Sequence, residues 1–203
     1  LPRKPLIDID GTPMIIRVYN QAVKANVGKV IIAGCDPELE KLINSYNFNY
    51  IHTDPKLPSG TDRVYDAYQN LGEKFDNVIN LQGDEPLMPN ENLIQVAELL
   101  IQHPQAAVAT LYEHILASEA INNPNMVKMV QSLDERVLYF SRAAIPFDRD
   151  NVRANDAILK RHVGIYAYRK SALDAFVRYG EGQLEALEKL EQLRFMEHGG
   201  DIY

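Results

Sequence analysis

The sequence predicts an α/β fold with a small antiparallel excursion, and three observations carry that prediction. Apolar periodicity switches repeatedly between strand-like and helix-like patterns along the chain. The apolar run at 76–81 ends in Gln82-Gly83-Asp84-Glu85-Pro86, as a strand does when it delivers polar residues to its carboxyl end in an open sheet, where such sheets bind ligands. The runs at 126–131 and 136–140 flank a turn at 132–135 and read as a hairpin, which departs from strict strand-helix-strand alternation.

The elements follow in order. Pro13 suits a first helical turn, Met14, Ile15, Val18, Ala22 and Val23 share one face, and Gly28 supplies a stop before a buried strand at 29–33. Pro37 opens a helix to about residue 46, and 50–52 is a short strand. A loop rich in Pro, Ser and Gly at 54–60 then leads into a helix at 61–71. After the strand at 76–81 come a helix at 90–102 and a strand at 106–111. Beyond the hairpin, residues 141–156 have no clear period, carry Pro146 and read as a long exposed loop. A strand at 160–168 and helices at 171–178 and 183–197 complete the chain. There are no internal repeats, no low-complexity tracts and no linker, so residues 1–203 form a single domain. The loop-like opening Leu1-Pro2-Arg3-Lys4-Pro5, without Met, and the strand-like close Asp201-Ile202-Tyr203 lead to the expectation that both ends are incomplete.

Composition excludes several classes. The chain is 46% hydrophobic and 24% charged, with 21 basic and 28 acidic side chains and a net charge of −7. That balance argues against a nucleic-acid partner, which needs clustered Lys and Arg over a face. The lone Cys35 forms no internal disulfide and builds no thiolate cluster, so a reducing cytoplasm is the expected location. No apolar run approaches a membrane span and no signal-peptide pattern is present, so no membrane partner is expected. His52, His103, His114 and His198 show no metal spacing, and no serine sits in a nucleophile elbow.

Three groups of residues suit chemistry. Asp84 and Glu85 at a strand end offer hard oxygen ligands of the kind Mg²⁺ shares with phosphates, although the same run also reads as an acidic turn before a helix. Leu57-Pro58-Ser59-Gly60-Thr61-Asp62-Arg63 opens a helix with free N–H groups that suit a base or a phosphate, or it is an ordinary N-cap. His162, Gly164 and Tyr166 share one strand face, which suits a polyhydroxylated ligand or a half-exposed surface. Glu185, Glu188, Glu191 and Gln192 cluster at helical spacings, with most of those acids expected to face solvent and Leu184, Leu187, Leu190 and Leu193 forming the apolar side.

Six ordered blocks converge on a family. Leu1-Pro2-Arg3-Lys4-Pro5-Leu6, Pro58-Ser59-Gly60-Thr61-Asp62-Arg63 and Asn80-Leu81-Gln82-Gly83-Asp84-Glu85-Pro86 are three of them. Tyr139-Phe140-Ser141-Arg142-Ala143 with Ile145-Pro146-Phe147-Asp148-Arg149-Asp150, Arg161-His162-Val163-Gly164-Ile165-Tyr166 and Leu190-Glu191-Gln192-Leu193-Arg194 complete the set. In order they resemble the motifs of the 3-deoxy-manno-octulosonate (Kdo) cytidylyltransferases, the CMP-Kdo synthetases, over nearly the whole chain.

The resemblance implies a Rossmann-like three-layer nucleotide-diphospho-sugar transferase fold. It implies an enzyme that uses CTP and Mg²⁺ to activate Kdo for lipopolysaccharide synthesis, as a homodimer in the cytoplasm. The anomeric hydroxyl of Kdo attacks the α-phosphate of CTP and releases pyrophosphate, with positioning and charge neutralisation carrying the chemistry. By motif, Lys4 and Asp84 are catalytic and Asp84 is the metal ligand. Lys4, Ser59, Gly60, Thr61 and Arg63 meet the nucleotide, and Gln82, Arg142, His162, Tyr166, Glu191 and Gln192 surround the sugar acid. The segment 126–150 forms much of the dimer interface. Arg3 stands where the family has Gly. The family's upstream Arg-bearing phosphate loop and a second metal-binding Asp downstream are expected to be required for activity. Readings that remain beside this one are a cytidylyltransferase for sialic acid or 8-amino-Kdo, and a non-catalytic dimeric binding module.

Overall fold

The computed structural model describes residues 4–114, 122–150 and 159–203. A 3-10 turn at Lys4–Leu6 leads through a short antiparallel pair, β1 (Asp8–Ile9) and β2 (Thr12–Pro13), into α1 (Met14–Ala25). This helix ends before Gly28, because Asn26 adopts the left-handed conformation at φ 53° and returns its N–H to Val23. Strands β3 (Ile32–Gly34) and β4 (Tyr50–His52) pair in parallel, joined by α2 (Pro37–Ser45). Asp36 starts α2 by accepting from the N–H groups of Glu38 and Leu39 at 2.8 and 3.4 Å, with Pro37 in the first turn.

The chain continues with α3 (Gly60–Asn70), β5 (Asn77–Leu81), α4 (Asn90–Gln102) and β6 (Val108–His114). The expected hairpin is present as β7 (Lys128–Gln131) and β8 (Val137–Ser141). Then come β9 (Lys160–Arg169) and three helices, α5 (Lys170–Tyr179), α6 (Gln183–Glu188) and α7 (Gln192–Glu197). Of the expected loop at 141–156, Ser141 closes β8 and 151–156 lie outside the described residues.

β9 organises the main sheet. It runs antiparallel to β5, β6 and β7, so the antiparallel character reaches beyond the hairpin to which the sequence confines it. Residues 160–168 pair with β6 along one edge. The other edge is shared, with β5 against 165–169 and β7 against 160–161. Between them the His162 N–H donates to the Val127 carbonyl at 2.8 Å, and residues 163–164 have no ladder partner on that edge, at the carboxyl end of β5.

Alternation along β9 builds the layers. Ile165 and Ala167 face a cluster with Ala22 and Ala25 of α1 and Leu93, Val96 and Leu100 of α4. Tyr166 and Tyr168 face the other way, against Ala172, Leu173 and Phe176 of α5 and Leu193 and Phe195 of α7. Each fully buried Leu, Ile, Val or Phe among them contributes roughly 1.5–3 kcal/mol by leaving water. A third cluster, with Ile16, Ile32, Leu39 and Ile43, joins α1 and α2 to β3. The result is helices on both faces of a main sheet whose strand pairs are all antiparallel, beside the separate parallel pair β3–β4, the three-layer arrangement expected.

The single helix expected at 183–197 is broken. Lys189 sits in the left-handed region at φ 53°, ends α6 and turns Leu190 and Glu191 inward before α7 begins. A non-glycine residue there costs about 1 kcal/mol, which the contacts of the following residues offset.

Candidate active site

The cleft lies where β9 lacks a partner. Its volume is about 390 Å³, and it is lined by Gly60, Gln82, Asp84, Arg142, His162, Gly164, Tyr166, Lys189, Leu190, Glu191 and Gln192. Five stretches distant in sequence supply these walls: the first turn of α3, the end of β5, Arg142 just after β8, the middle of β9 and the break between α6 and α7.

At the end of β5, Asp84 Oδ2 accepts from Lys4 Nζ at 2.6 Å, and this hydrogen bond raises the ammonium's pKa. Glu85 beside it is held above its ordinary pKa by burial first and by the Asp84 charge second. Gln82 Nε2 points toward Asn80 Oδ1 at 3.4 Å and lies so close to Gly60 that a Cβ there would stand 3.1 Å from it. A methyl there would require the Gln82 amide to shift by a few tenths of an ångström.

Ser59 caps α3 by accepting from the Asp62 N–H at 3.1 Å and donating to Asp62 Oδ2 at 2.5 Å. Thr61 is fully buried. Its N–H donates to Glu191 Oε2 at 3.3 Å and its hydroxyl to Glu191 Oε1 at 2.9 Å, while Asn80 Nδ2 donates to Thr61 Oγ1 at 3.1 Å. Arg63 turns the other way, donating to Thr53 Oγ1 and to the Asp54 carbonyl.

On β9 the His162 and Tyr166 rings lie 5.2 Å apart, as their shared face predicts, and Phe140 packs edge-on against His162 at 5.0 Å. Burial drives the imidazole pKa down to about 3, with the Arg161 charge adding to the effect. Burial likewise raises the Tyr166 phenol far above its ordinary value, with Tyr168 and Glu191 adding to it. Both groups are neutral at physiological pH.

The expectation that the acids of 183–197 mostly face solvent is corrected here. Glu185 is buried against Arg194, and Glu188 accepts from Ser141 Oγ at 2.6 Å and the Arg142 N–H at 2.9 Å. Glu191 clamps Thr61. Their partners lie on other elements, which helical periodicity alone does not reveal. Leu187 is exposed, whereas Leu190 and Leu193 join the core.

Of the residues expected to bind the sugar acid, Gln82, Arg142, His162, Tyr166, Glu191 and Gln192 all line the cleft with Asp84 and Gly60. Gln192 is 3% exposed, and its Nε2 has no hydrogen-bond partner, a buried donor available to a ligand. Arg142 donates from Nε to the Glu188 carbonyl, from Nη1 to Pro124 and from Nη2 to Lys189, so much of its guanidinium is engaged with main chain. Lys4 reaches the cleft through Asp84, whereas Ser59, Thr61 and Arg63 lie behind or beside its wall. Lys189 and Leu190 were not foreseen as lining residues. A lysine in a left-handed conformation carries no sequence signal.

Among the described residues no cluster of three or more His, Cys, Asp or Glu side chains is placed to hold a metal by itself. One hard carboxylate at the mouth of a cleft fits a divalent cation that takes its remaining ligands from water and a substrate's phosphates. Asp84 meets that description, and its attraction for Lys4 shows an oxygen open to a cation.

The cytidylyltransferase family matches residues 1–202. The 3-deoxy-manno-octulosonate cytidylyltransferase of Saccharophagus degradans is 41% identical over 212 residues, covering 100% of this chain and 83% of the relative. The enzyme of the same name from Francisella philomiragia is 43% identical over 206 residues, covering 100% and 82%. A solved structure of CMP:2-keto-3-deoxy-manno-octonic acid synthetase complexed with CTP superposes with a TM-score of 0.91 at 39% identity, covering 100% of this chain and 82% of that one.

Proposed function

The chain belongs to the cytidylyltransferase family, and from that premise we propose that it transfers CMP from CTP to the anomeric hydroxyl of Kdo, giving CMP-Kdo and pyrophosphate for lipopolysaccharide synthesis. The observation that carries the reading is the cleft in which Gln192 Nε2, His162, Tyr166 and Glu191 converge beside Asp84. The neutral groups His162, Tyr166 and Gln192 in a buried wall suit the hydroxyls of a sugar acid, and the Asp84 carboxylate next to them suits a nucleotide's metal-bound phosphates.

Asp84 would hold Mg²⁺, which when bound would neutralise charge on the triphosphate. Lys4, drawn to Asp84 in the free protein, contacts the triphosphate once CTP is present. Gly60 leaves room for the nucleotide beside Gln82, with Ser59, Thr61 and Arg63 shaping that end of the site. Gln82, His162, Tyr166, Glu191 and Gln192 orient the sugar acid, and Arg142 faces its carboxylate. Because both reactants are held and the wall hydroxyls stay neutral, positioning and electrostatics supply the rate enhancement. The cytoplasm is the proposed location of the reaction. Among the described residues no helix is long and apolar enough to cross a membrane. The exposed Leu133, Leu138 and Phe147 on and beside the β7–β8 hairpin support a homodimer through that segment.

Pyrophosphate release by the full-length gene product, measured with CTP and a panel of Kdo, 8-amino-Kdo and sialic acid, tests the reading. Turnover is expected with Kdo. Preference for another sugar acid, or none at all, would overturn it.

A further inference from the structure

Behind the cleft wall lies an ion triad, Arg194 with Glu185 and Asp62, none of which lines the cleft itself. Arg194 is 1% exposed. Its Nε and Nη2 donate to the two carboxylate oxygens of Glu185, both at 2.7 Å, and its Nη1 donates to Asp62 Oδ2 at 3.3 Å. The guanidinium also stacks 4.3 Å from the centre of the Phe176 ring. Asp62 is the residue that Ser59 caps, and Glu185 Oε2 accepts from the Gly182 N–H at 3.1 Å, so both carboxylates are themselves fixed. Adjacent residues of the α3 first turn are thus gripped from the same short stretch: Thr61 by Glu191 and Asp62 by Arg194.

We infer that Arg194 is a positioning residue for sugar-acid recognition, acting through Glu191 and Gln192. The Lys189 break leaves Glu191 and Gln192 at the start of a six-residue helix that has little rigidity of its own. The planar fork of Arg194 pins that helix to α6 on one side and α3 on the other, which fixes how Glu191 and Gln192 face the cleft. A lysine would supply the charge without the bidentate geometry. The inference rests on the proposed reaction, since Kdo is the ligand it positions.

The test uses the full chain with CTP and Kdo, in a cycle of Arg194→Met, Glu191→Ala and the double variant. Arg194→Met is expected to raise the KM for Kdo about tenfold and leave that for CTP within about twofold. In the Glu191→Ala background it should add about threefold or less, because one of the two residues through which it acts is gone. Arg194→Lys should fall between the unaltered protein and Arg194→Met. Hydrogen exchange gives a readout that needs no substrate: the amides of Thr61 and Asp62 should exchange faster in Arg194→Met while those of 165–168 do not. Equal rises in both KM values, multiplicative effects in the double variant, or uniform acceleration of exchange would overturn the proposal. Should Arg194→Met fail to fold, Glu185→Gln, which keeps shape and one acceptor, is read the same way, and loss of fold in both assigns the triad to stability alone. If the unaltered protein uses no Kdo, the functional reading fails, and hydrogen exchange still decides the positional claim.

Discussion

Thr110 Oγ1 donates to the Ile165 carbonyl at 2.7 Å and lies 2.9 Å from His162 Nε2. A hydroxyl has one proton to give, so the imidazole donates through Nε2–H and keeps Nδ1 as an acceptor. The threonine that fixes this tautomer sits at an irregularity in the β6–β9 ladder, where the register slips between Thr110 and Leu111.

His162 therefore acts without titrating. With its pKa lowered from 6.5 to about 3, the KM for Kdo should carry no imidazole-like inflection between about pH 5.5 and 8.5. The sign for stability follows from linkage: the unfolded chain takes the proton more readily, so the contribution is present above pH 6.5 and is lost as pH falls toward about 3. The loss is at most about 1.4 kcal/mol per pH unit, and His162→Gln should flatten this part of the Tm profile. An inflection in KM near pH 6.5 would refute the assignment.

Glu191→Ala should weaken use of Kdo by about 1–3 kcal/mol and change CTP binding little. It also strips Thr61 of two hydrogen bonds, so Tm should fall by several degrees. Glu191→Gln, which retains an acceptor for the Thr61 hydroxyl, should keep more of the Tm than of the Kdo affinity. Calorimetric titration with each substrate separates the two effects, and equal losses for both would exclude a sugar-binding wall.

For Asp84→Asn the expectation is loss of turnover by about 100-fold or more with the fold intact. Its ion pair with Lys4 is solvent-exposed on both sides, and such pairs contribute little to stability. Circular dichroism and pyrophosphate release on the same preparation check it; near-normal Mg²⁺-dependent activity would remove Asp84 from the mechanism.

Lys128 is fully buried, and its ammonium donates to the carbonyls of Asn123, Met126 and Arg142. Burial lowers its pKa, yet three acceptors hold the charged form. Lys128→Met should cost about 3 kcal/mol by orphaning those carbonyls, a Tm drop of roughly 6–12 °C by thermal melt. A change under about 2 °C would mean that the loop finds other donors.

Gly164→Ala probes the open stretch of β9 directly. A Cβ there meets nothing within 4 Å, so Tm should stay within about 2 °C while a methyl enters the cleft and raises the KM for Kdo. An unchanged KM would show that the sugar acid lies elsewhere.

What the sequence made legible was local. Turn and cap residues such as Pro37 and Ser59 marked where helices begin, and the Gln82-Gly83-Asp84 strand end marked the cleft. Alternation along β9 put His162 and Tyr166 on one face. The direction of β9 was not legible, because a strand's pattern is the same whether its neighbours run with it or against it. Nor was the inward turn of Glu185, Glu188 and Glu191, since their partners Arg194, Ser141 and Thr61 are set by tertiary contact. The left-handed Lys189 contradicts its own local preference, and its energetic compensation lies in the residues that follow it.

The two grips on α3 span 130 and 132 residues. Closing so long a segment carries an entropic cost that grows only with the logarithm of its length, so adding about 30 residues between the grips changes it by about 0.2 kcal/mol. Insertions in the exposed turns between them, such as the one at Leu133, are thus nearly invisible to the cleft in thermodynamic terms. A descendant lineage can lengthen or replace that surface and keep the same substrate, whereas a single altered residue at either end of the grip reaches the substrate at once.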